Sequence, residues 1–268
     1  MSLVELLEKY EPISLAEMGG IRLMNRTDTK FVTTARKLAQ LLEEASGDYY
    51  AQEIDGNRVA SYYTMYFDTE SSDMFRTHVC GKLNRQKLRV RSYMDSGLDF
   101  LEVKTKNNRG RTKKCRISVD GFATTISDAQ ALPAADPLAS LIESRPDELP
   151  TFLAKHLRYD PALMLPKIEN RFSRVTLVNR DKTERLTIDT GLKFHNVSTG
   201  QRLQLDNIAI IELKRDGLAP SPILERLRAL RIRAMGFSKY CMGMAMTDPA
   251  LSANRFKPRL RRLAKILG

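Results

Sequence analysis

Cysteine and histidine are scarce in this sequence, and their spacing limits the chemistry it can support. The 268 residues include three of each. Cys80, Cys115 and Cys241 are odd in number and too far apart for a CxxC metal site, which indicates a reducing compartment without disulfides. The three histidines have no partners at metal-site or triad spacing, so the sequence does not indicate histidine-based metal or nucleophilic chemistry.

Long apolar runs and the common nucleotide-binding motifs are missing as well. No stretch approaches the roughly 18 apolar residues of a membrane-spanning helix. The first residues lack a basic segment followed by an apolar run, so no signal peptide is expected. A GxxxxGKS/T phosphate loop, a GxGxxG fingerprint and a GxSxG nucleophile elbow do not occur. These absences predict a cytoplasmic protein that binds its ligand without any of these common motifs.

Positive charge is what the sequence has in excess. The formal net charge is +12, with 44 lysines and arginines against 32 aspartates and glutamates. Such an excess predicts an anionic partner, which can be a nucleic acid, a membrane surface or a small polyanion. We expect residues 1–268 to form one domain, because the length suits one large core and no linker interrupts the chain.

The stretch 84–106 has the clearest pattern in the chain. Charged and apolar residues alternate along both of its halves, and a turn-forming segment at 95–97 separates them. Successive side chains of a strand point to opposite faces, so each half predicts a strand with one charged and one apolar face. Together they predict an antiparallel hairpin. Its charged positions are Arg85, Lys87, Arg89, Arg91, Glu102, Lys104 and Lys106.

The same alternation recurs along the chain and predicts further strands. They carry charged residues at 26–30, 111–116, 167–171, 185–189 and 212–214. Predicted helices can cover the apolar faces of these strands. They lie around 34–46, 121–158 and 220–235. This arrangement predicts an antiparallel barrel with helices outside and a charged lumen, which is tolerable if the lumen is wet or holds a polyanion. The alternative is a solvated basic face that binds nucleic acid.

Two segments depart from the strand pattern. In 121–160, alanines, prolines and aspartates separate short helical runs, which predicts a helical insertion too small for a core of its own. The tail 250–268 is basic, and its leucines share a helical face. It predicts a helix docked on the barrel exterior, or one that makes peripheral contact with anionic lipid or with an emerging product.

Eight short motifs follow one another along the chain. They are Arg26-x-Asp28-x-Lys30, Tyr66-Phe67-Asp68, Lys87-Leu88-Arg89-Val90-Arg91-Ser92-Tyr93, Phe100-Leu101-Glu102-Val103-Lys104, Asn170-Arg171, Arg185-Leu186-Thr187-Ile188-Asp189, Ile211-Glu212-Leu213-Lys214 and Ser238-Lys239-Tyr240. In this order they resemble the VTC-type polyphosphate polymerase domain, which belongs to the triphosphate tunnel folds. The resemblance runs from about residue 20 to residue 247.

The resemblance implies a fold, a ligand and a set of site residues. The fold is α+β, an eight-stranded antiparallel tunnel that binds a nucleoside triphosphate with a divalent metal. Glu212 would hold the metal, Mn²⁺ or Mg²⁺. The phosphate-binding residues would be Lys30, Arg89, Arg91, Lys104, Arg171, Arg185, Ser238 and Lys239. The catalytic residues among them would be Lys104, Arg89, Arg91 and Lys239.

The predicted reaction transfers the γ-phosphate of ATP to a growing inorganic polyphosphate chain. A terminal phosphate is anionic near neutral pH and needs no base, whereas attack by water benefits from one. Carboxylates with cationic neighbours two positions away are expected to stay ionised and to be poor bases. Triphosphate hydrolysis is the enzymatic alternative. A polyphosphate- or RNA-binding protein without turnover is the other, although a nucleic-acid partner is the less favoured one.

Overall fold

The structure is a computed structural model that describes residues 2–19, 26–122, 136–217 and 220–268. Its strands are β1 (Glu11–Ile13), β2 (Arg26–Thr34), β3 (Tyr49–Gln52), β4 (Ala60–Asp68), β5 (Arg85–Tyr93), β6 (Leu98–Lys106), β7 (Thr112–Val119), β8 (Leu165–Asn179), β9 (Glu184–Asn196), β10 (Arg202–Leu205) and β11 (Ile208–Asp216). Its α-helices are α1 (Leu3–Leu7), α2 (Leu15–Gly19), α3 (Ala35–Ala45), α4 (Asp73–Val79), α5 (Pro137–Ser144), α6 (Glu148–His156), α7 (Pro222–Ala229), α8 (Lys239–Thr247) and α9 (Lys257–Leu267).

One large sheet organises the molecule. Eight strands follow one another in the order β2-β11-β9-β8-β4-β5-β6-β7, and every neighbouring pair in this path is antiparallel. The short strands β1, β3 and β10 are attached to this path. In the described part of the chain no hydrogen-bonded ladder joins β7 to β2, so backbone pairing does not close the sheet.

The sheet is curled, with one inner and one outer face. Lys104 of β6 and Glu212 of β11 are five strands apart, which would be about 24 Å on a flat sheet. The two side chains nevertheless interact, since Glu212 raises the pKa of Lys104 and Lys104 lowers that of Glu212. Lys30 of β2 likewise acts on Lys87 of β5. The two ends of the strand path therefore approach each other across the inner face.

The outer face carries the apolar side chains, and helices cover it. Helix α3 begins at Thr34, whose hydroxyl accepts a hydrogen bond from the backbone nitrogen of Lys37 at 3.3 Å. The helix buries Leu38 and Leu41 at helical spacing. They join a hydrophobic cluster with outward residues of the sheet and with α7. Its members include Phe31, Val175, Leu186, Ile188, Ile211, Leu213, Ile223 and Leu227.

Helices α5 and α6 supply the second part of the cover. They contribute Leu138, Leu149 and Leu153 to a cluster that also contains Leu88 and Val103 of the central hairpin. The prediction of a mixed α+β fold with a large antiparallel sheet and helices outside is confirmed; the predicted eight-stranded barrel is corrected to an 11-stranded sheet that no ladder among the described residues closes, because three short strands attach beside the eight-strand path. The predicted insertion at 121–160 contains α5 and α6, but its residues 123–135 lie outside the described ranges. Residues 21–25 of the strand that the sequence predicts from Ile21 to Val32 lie outside them as well.

Helix α8 was not predicted, and it packs on the inner face. Its residues 240–244 are all buried, so it lacks the polar face that marks an amphipathic helix in a sequence. Gly243 lets it approach β8 and β9, because a Cβ there would lie 2.6 Å from Ile168 Cδ1 and 2.7 Å from Phe194 Cδ1. The apolar half of the inner face is thus covered by α8. Among the described residues no helix is long and apolar enough to cross a membrane.

Candidate active site

Charged side chains from seven strands meet on the uncovered half of the inner face. The alternation of strand side chains brings them there, and the register pairs Arg89 with Glu102 across β5 and β6. We call this set the charged cluster. Its members are Lys30, Lys87, Arg89, Arg91, Glu102, Lys104, Lys114, Arg174, Arg185, Asp189, Glu212 and Lys214, with Lys239 from α8.

Glu102 is shared by two cations. Arg89 donates from Nε to Glu102 Oε2 at 2.7 Å and has Nη2 2.6 Å from the same oxygen, while Lys114 Nζ donates to Oε1 at 3.0 Å. Burial raises the pKa of this carboxyl, but Arg89, Arg91 and Lys114 outweigh the burial and lower the pKa to about 2. Glu102 is therefore an ionised counter-ion and a weak base.

Asp189 is also held by two cations. Arg174 donates to it through both arms of its guanidinium, from Nε at 2.6 Å and from Nη2 at 2.9 Å, and Lys239 donates to the same carboxylate. These contacts outweigh burial and hold the pKa of Asp189 well below its usual range. Lys239 Nζ also lies 4.1 Å from the ring centroid of Phe172. Because Asp189 is buried and doubly paired, it fixes the positions of both cations.

Glu212 lies between two lysines, one directly across from it on the neighbouring strand and one two positions further along its own strand. Its Oε1 is 3.4 Å from Lys30 Nζ, and its Oε2 is 3.2 Å from Lys214 Nζ. Burial raises the pKa of Glu212, but the two lysines and Lys104 outweigh it, so the pKa stays well below the usual value. All three paired carboxylates are therefore ionised near neutral pH.

The remaining cations exceed what these carboxylates neutralise. Lys87 and Lys104 face each other across β5 and β6, and neither forms an ion pair with a carboxylate among the described residues. Burial and the neighbouring cations lower the pKa of each lysine to about 8. Burial, Arg89 and Arg174 lower the pKa of Arg91 to about 10. The cluster is an electropositive site that an oxyanion would stabilise.

The N-terminus of α8 adds positive charge to the same site. Ser238 caps the helix by accepting from the backbone nitrogen of Cys241 at 3.3 Å, and it also accepts from Lys87 Nζ at 2.8 Å. Tyr240 anchors the helix, since its hydroxyl donates to Asp68 Oδ2 at 2.5 Å. The partial positive charge of a helix N-terminus thus adds to the cations around it.

The structure brings most of the predicted site residues together. The charged cluster and the cap of α8 contain Lys30, Arg89, Arg91, Lys104, Arg185, Glu212, Ser238 and Lys239. Arg171 is the one predicted residue that does not lie there. Its guanidinium packs on the outer face, 4.8 Å from the ring centroid of Tyr63, because odd-numbered side chains of β8 point outward at this place. The phosphate-binding role predicted for Arg171 therefore does not fit its position.

Arg174, and not Arg171, is the arginine of β8 that lies in the charged cluster. Sequence alternation alone could not choose between them, because β8 carries charges on both faces. On its outer face Glu169 lies 3.6 Å from His195 Nδ1. The pairing of Ala60 with Arg174 is what assigns this arginine to the inner face.

Lys87 and Lys214 are inner-face cations that the predicted phosphate-binding set omitted. The sequence did carry a signal for both. Lys87 shares its strand parity with Arg89, and Lys214 shares its parity with Glu212.

The charged cluster offers one candidate metal ligand of the predicted kind. Among the described residues, no group of three or more histidine, cysteine, aspartate or glutamate side chains is arranged to hold a metal ion. A magnesium-type ion is commonly bound by one or two carboxylates together with substrate phosphates and water. Glu212 fits such a site, because it is ionised and lies among the surplus cations, including Lys104 across the sheet.

Comparisons with known proteins place the chain within a family. The family model described as VTC domain matches residues 25–247. No curated protein matches the chain.

Three solved structures are among those similar to the chain. One from Hippeastrum is described as an adenylyl cyclase with a dominant triphosphatase activity; it has 16% identity and a TM-score of 0.47, over 84% of this chain and 97% of that one. A conserved hypothetical protein from Pyrococcus furiosus has 10% identity and a TM-score of 0.42, over 81% and 99% of the two chains. A protein from Pyrococcus horikoshii has 10% identity and a TM-score of 0.39, over 82% and 98%.

Proposed function

Since the chain belongs to the VTC domain family, which the match over residues 25–247 establishes, we propose that its charged cluster binds ATP and transfers the γ-phosphate to inorganic polyphosphate. The observation that carries this proposal is the surplus of converging cations. Lys87 and Lys104 oppose each other without a carboxylate partner, next to three carboxylates already paired with other cations. A site of this kind suits a linear polyanion with several phosphates.

The proposed step asks little covalent chemistry of the protein. A terminal oxygen of the polyphosphate acceptor forms a bond to the γ-phosphorus of ATP, and the bond from that phosphorus to the β-γ bridging oxygen breaks. ADP leaves, and the acceptor is one phosphate longer. Catalysis of such a step rests on alignment and on neutralising the oxygens of the transferring group. Arg89, Arg91, Lys104 and Lys239 would supply both.

The carboxylates of the site favour transfer over hydrolysis. Attack by water gains from a general base, and the best base has a pKa near the working pH. Glu102, with a pKa of about 2, and Asp189 and Glu212, with strongly lowered pKa values, are poor candidates. A polyphosphate terminus is already anionic and needs no such base.

We assign the metal, Mn²⁺ or Mg²⁺, to Glu212 together with phosphate oxygens of the substrate. When bound, such an ion supplies charge neutralisation at the transferring group. Lys30 and Lys214 keep the carboxylate ionised and hold it in place. A cytoplasmic location is part of the proposal and agrees with three unpaired cysteines.

The test is to incubate the purified protein with ATP and Mn²⁺ and to analyse the products by gel electrophoresis with a polyphosphate stain. We expect long-chain polyphosphate and ADP. Lys104→Ala should abolish the product, whereas Lys113→Ala, on the outer side of the adjacent strand, should retain it.

Two other outcomes would overturn the proposal. Orthophosphate without polymer would identify a triphosphate hydrolase. Tight tripolyphosphate binding without any turnover would identify a polyphosphate- or RNA-binding protein, and competition between tripolyphosphate and RNA would tell these two apart.

A further inference from the structure

The end of the inner face where β5 begins and β6 ends carries opposed like charges. Arg85 lies directly across from Lys106, and Lys87 lies directly across from Lys104. Like charges in such positions destabilise a sheet. Within the described ranges, none of the four forms an ion pair with a carboxylate. The cationic pairs therefore extend from the charged cluster to the rim of the sheet.

The C-terminal helix α9 brings a further cation to this rim. A Cβ on Gly236 would lie 3.9 Å from Arg259 Nη2, and Gly236 is two residues before Ser238, which binds Lys87. Arg259 also packs on Phe256, with its Cζ 4.8 Å from the ring centroid. The guanidinium is thus fixed beside the loop that leads into α8.

His78 reports how strongly positive the rim is. Its ring lies 6.1 Å from that of Phe256, centroid to centroid. Burial, together with the cations Lys87, Arg85, Arg259 and Lys106 of β5, β6 and α9, lowers the pKa of His78 to about 2. Burial and Arg259 lower the pKa of Arg85 as well. Four cations from three secondary-structure elements therefore influence the same histidine at the rim.

The apolar side of α9 is already occupied by the protein. Phe256 and Leu263 are each 2% exposed, and Leu260 and Ile266 pack against the same cluster. Arg262 ties the helix down by donating to the backbone oxygens of residues 233 and 234, both at 2.8 Å. The apolar face is therefore not free to enter a lipid layer, and what the helix offers outward is its cations.

We propose that Arg85, Lys106 and Arg259 form a second oxyanion site outside the charged cluster, which binds the part of a linear polyphosphate chain that extends beyond the cluster. This inference rests on the proposed function and adds the retention of a long chain to it. Helix α9 follows residue 247, where the family match ends, so Arg259 lies outside that match, whereas Arg85 and Lys106 lie within it. A chain held here would stay bound between successive transfers.

The experiment compares the affinities of tripolyphosphate and long-chain polyphosphate by isothermal titration calorimetry. The variant is Arg259→Glu. The matched control is Arg261→Glu, the same charge change about 200° around the same helix. Long chains should bind the wild type more tightly than tripolyphosphate does. Arg259→Glu should weaken long-chain binding by about tenfold or more, the effect of one charge-assisted contact. It should leave tripolyphosphate affinity within about twofold, and Arg261→Glu should leave both within that limit.

Each other outcome has a distinct meaning. Equal losses of affinity in the two variants would show that only net charge matters, and they would contradict the proposed site. If Arg259→Glu lowers binding to phosphatidylserine vesicles and not to long-chain polyphosphate, the rim is a membrane contact instead. Tripolyphosphate binding without any gain for long chains would overturn this inference alone, whereas no binding of tripolyphosphate would overturn the proposed function. Thermal unfolding of each variant verifies its fold, and Arg259→Gln serves if the charge reversal unfolds the protein.

Discussion

Paired carboxylates set the geometry of individual residues in the charged cluster. A buried acid between two cations stays ionised, and its hydrogen bonds hold the cations in place. Asp189 does this for Arg174 and Lys239, and Glu102 does it for Arg89 and Lys114. The cations are therefore positioned before a ligand arrives, so less ordering is required when it binds.

The first residue-scale prediction compares two arginines of β8. Arg174→Gln should weaken tripolyphosphate binding by about tenfold to a hundredfold, because one charge-assisted contact is lost. Arg171→Gln should change the affinity by less than about twofold, because its side chain lies on the outer face. Calorimetric titration of both variants measures this. If Arg171→Gln is the damaging change, the assignment of the two faces is wrong; if Arg174→Gln lowers only the melting temperature, Arg174 is merely a counter-ion of Asp189.

The second residue-scale prediction concerns Glu212. Glu212→Gln keeps the shape of the side chain but makes a poorer ligand for a hard divalent cation, so metal-dependent ATP consumption should fall about a hundredfold. Affinity for metal-free tripolyphosphate should persist or increase, since one negative charge leaves the cluster. The matched control is Glu169→Gln on the outer face, which should retain turnover. Wild-type turnover in Glu212→Gln would refute the metal assignment.

At the scale of elements, α8 links the hydrophobic core to the chemistry. Its buried residues pack on β8 and β9, Tyr240 stacks on Tyr66 with ring centroids 5.2 Å apart, and its first turn presents Ser238 and Lys239 to the charged cluster. A shift of the helix therefore moves both of these residues relative to the charged cluster. The close approach at Gly243 sets the position of the helix.

Gly243→Ala tests this role of α8. Alanine normally favours a helix over glycine by about 1 kcal/mol, but here its Cβ would lie 2.6 and 2.7 Å from Ile168 and Phe194. Overpacking of this kind costs about 1–3 kcal/mol, so we expect a net loss of stability together with weaker tripolyphosphate binding. Gly47→Ala is the control, because nothing lies within 4 Å of its Cβ position. Thermal unfolding and calorimetry measure both effects, and an unchanged melting temperature for Gly243→Ala would contradict the packing argument.

At the scale of the whole molecule, curling of the sheet concentrates the positive charge. Strands far apart in the sheet order bring Lys30 and Lys87 into interaction, and Lys104 senses both. Their mutual repulsion opposes the folded state and is relieved by a polyanion. Burial and this repulsion lower the pKa values of Lys87 and Lys104, which makes ligand binding dependent on protons.

Tripolyphosphate should therefore be bound with proton uptake. In the free protein Lys87 and Lys104 have pKa values of about 8, so both are partly neutral at pH 8. A bound polyanion favours their charged forms and raises both pKa values, so protons are taken up and affinity falls as the pH rises above about 8.

Calorimetry in two buffers of different ionisation enthalpy counts the protons. The ligand's own titration is separated by comparing the wild type with Lys104→Arg, which stays charged and should reduce the uptake. Lys113→Arg on the outer side of β7 is the matched control. Equal uptake in all three proteins would show that Lys104 does not titrate on binding.

The sequence by itself determined the strand pattern, the charged face of most strands and the family. Alternation is a local property, so β5, β6, β9 and β11 could be predicted with their inner residues, and Glu212, Lys104 and Arg89 with them. The order of the eight motifs indicated the family because each motif is also local: it is a short, contiguous stretch of sequence.

Only the tertiary structure decided which charges meet. The choice of Arg174 over Arg171 depends on how β8 pairs with β4, since both faces of β8 carry charge. The contact of Lys239 with Asp189 joins residues far apart in sequence, and α8 has no polar face to reveal it. The rim site likewise depends on where α9 docks. Such contacts arise from curling of the sheet and from packing between distant elements, which no local pattern encodes.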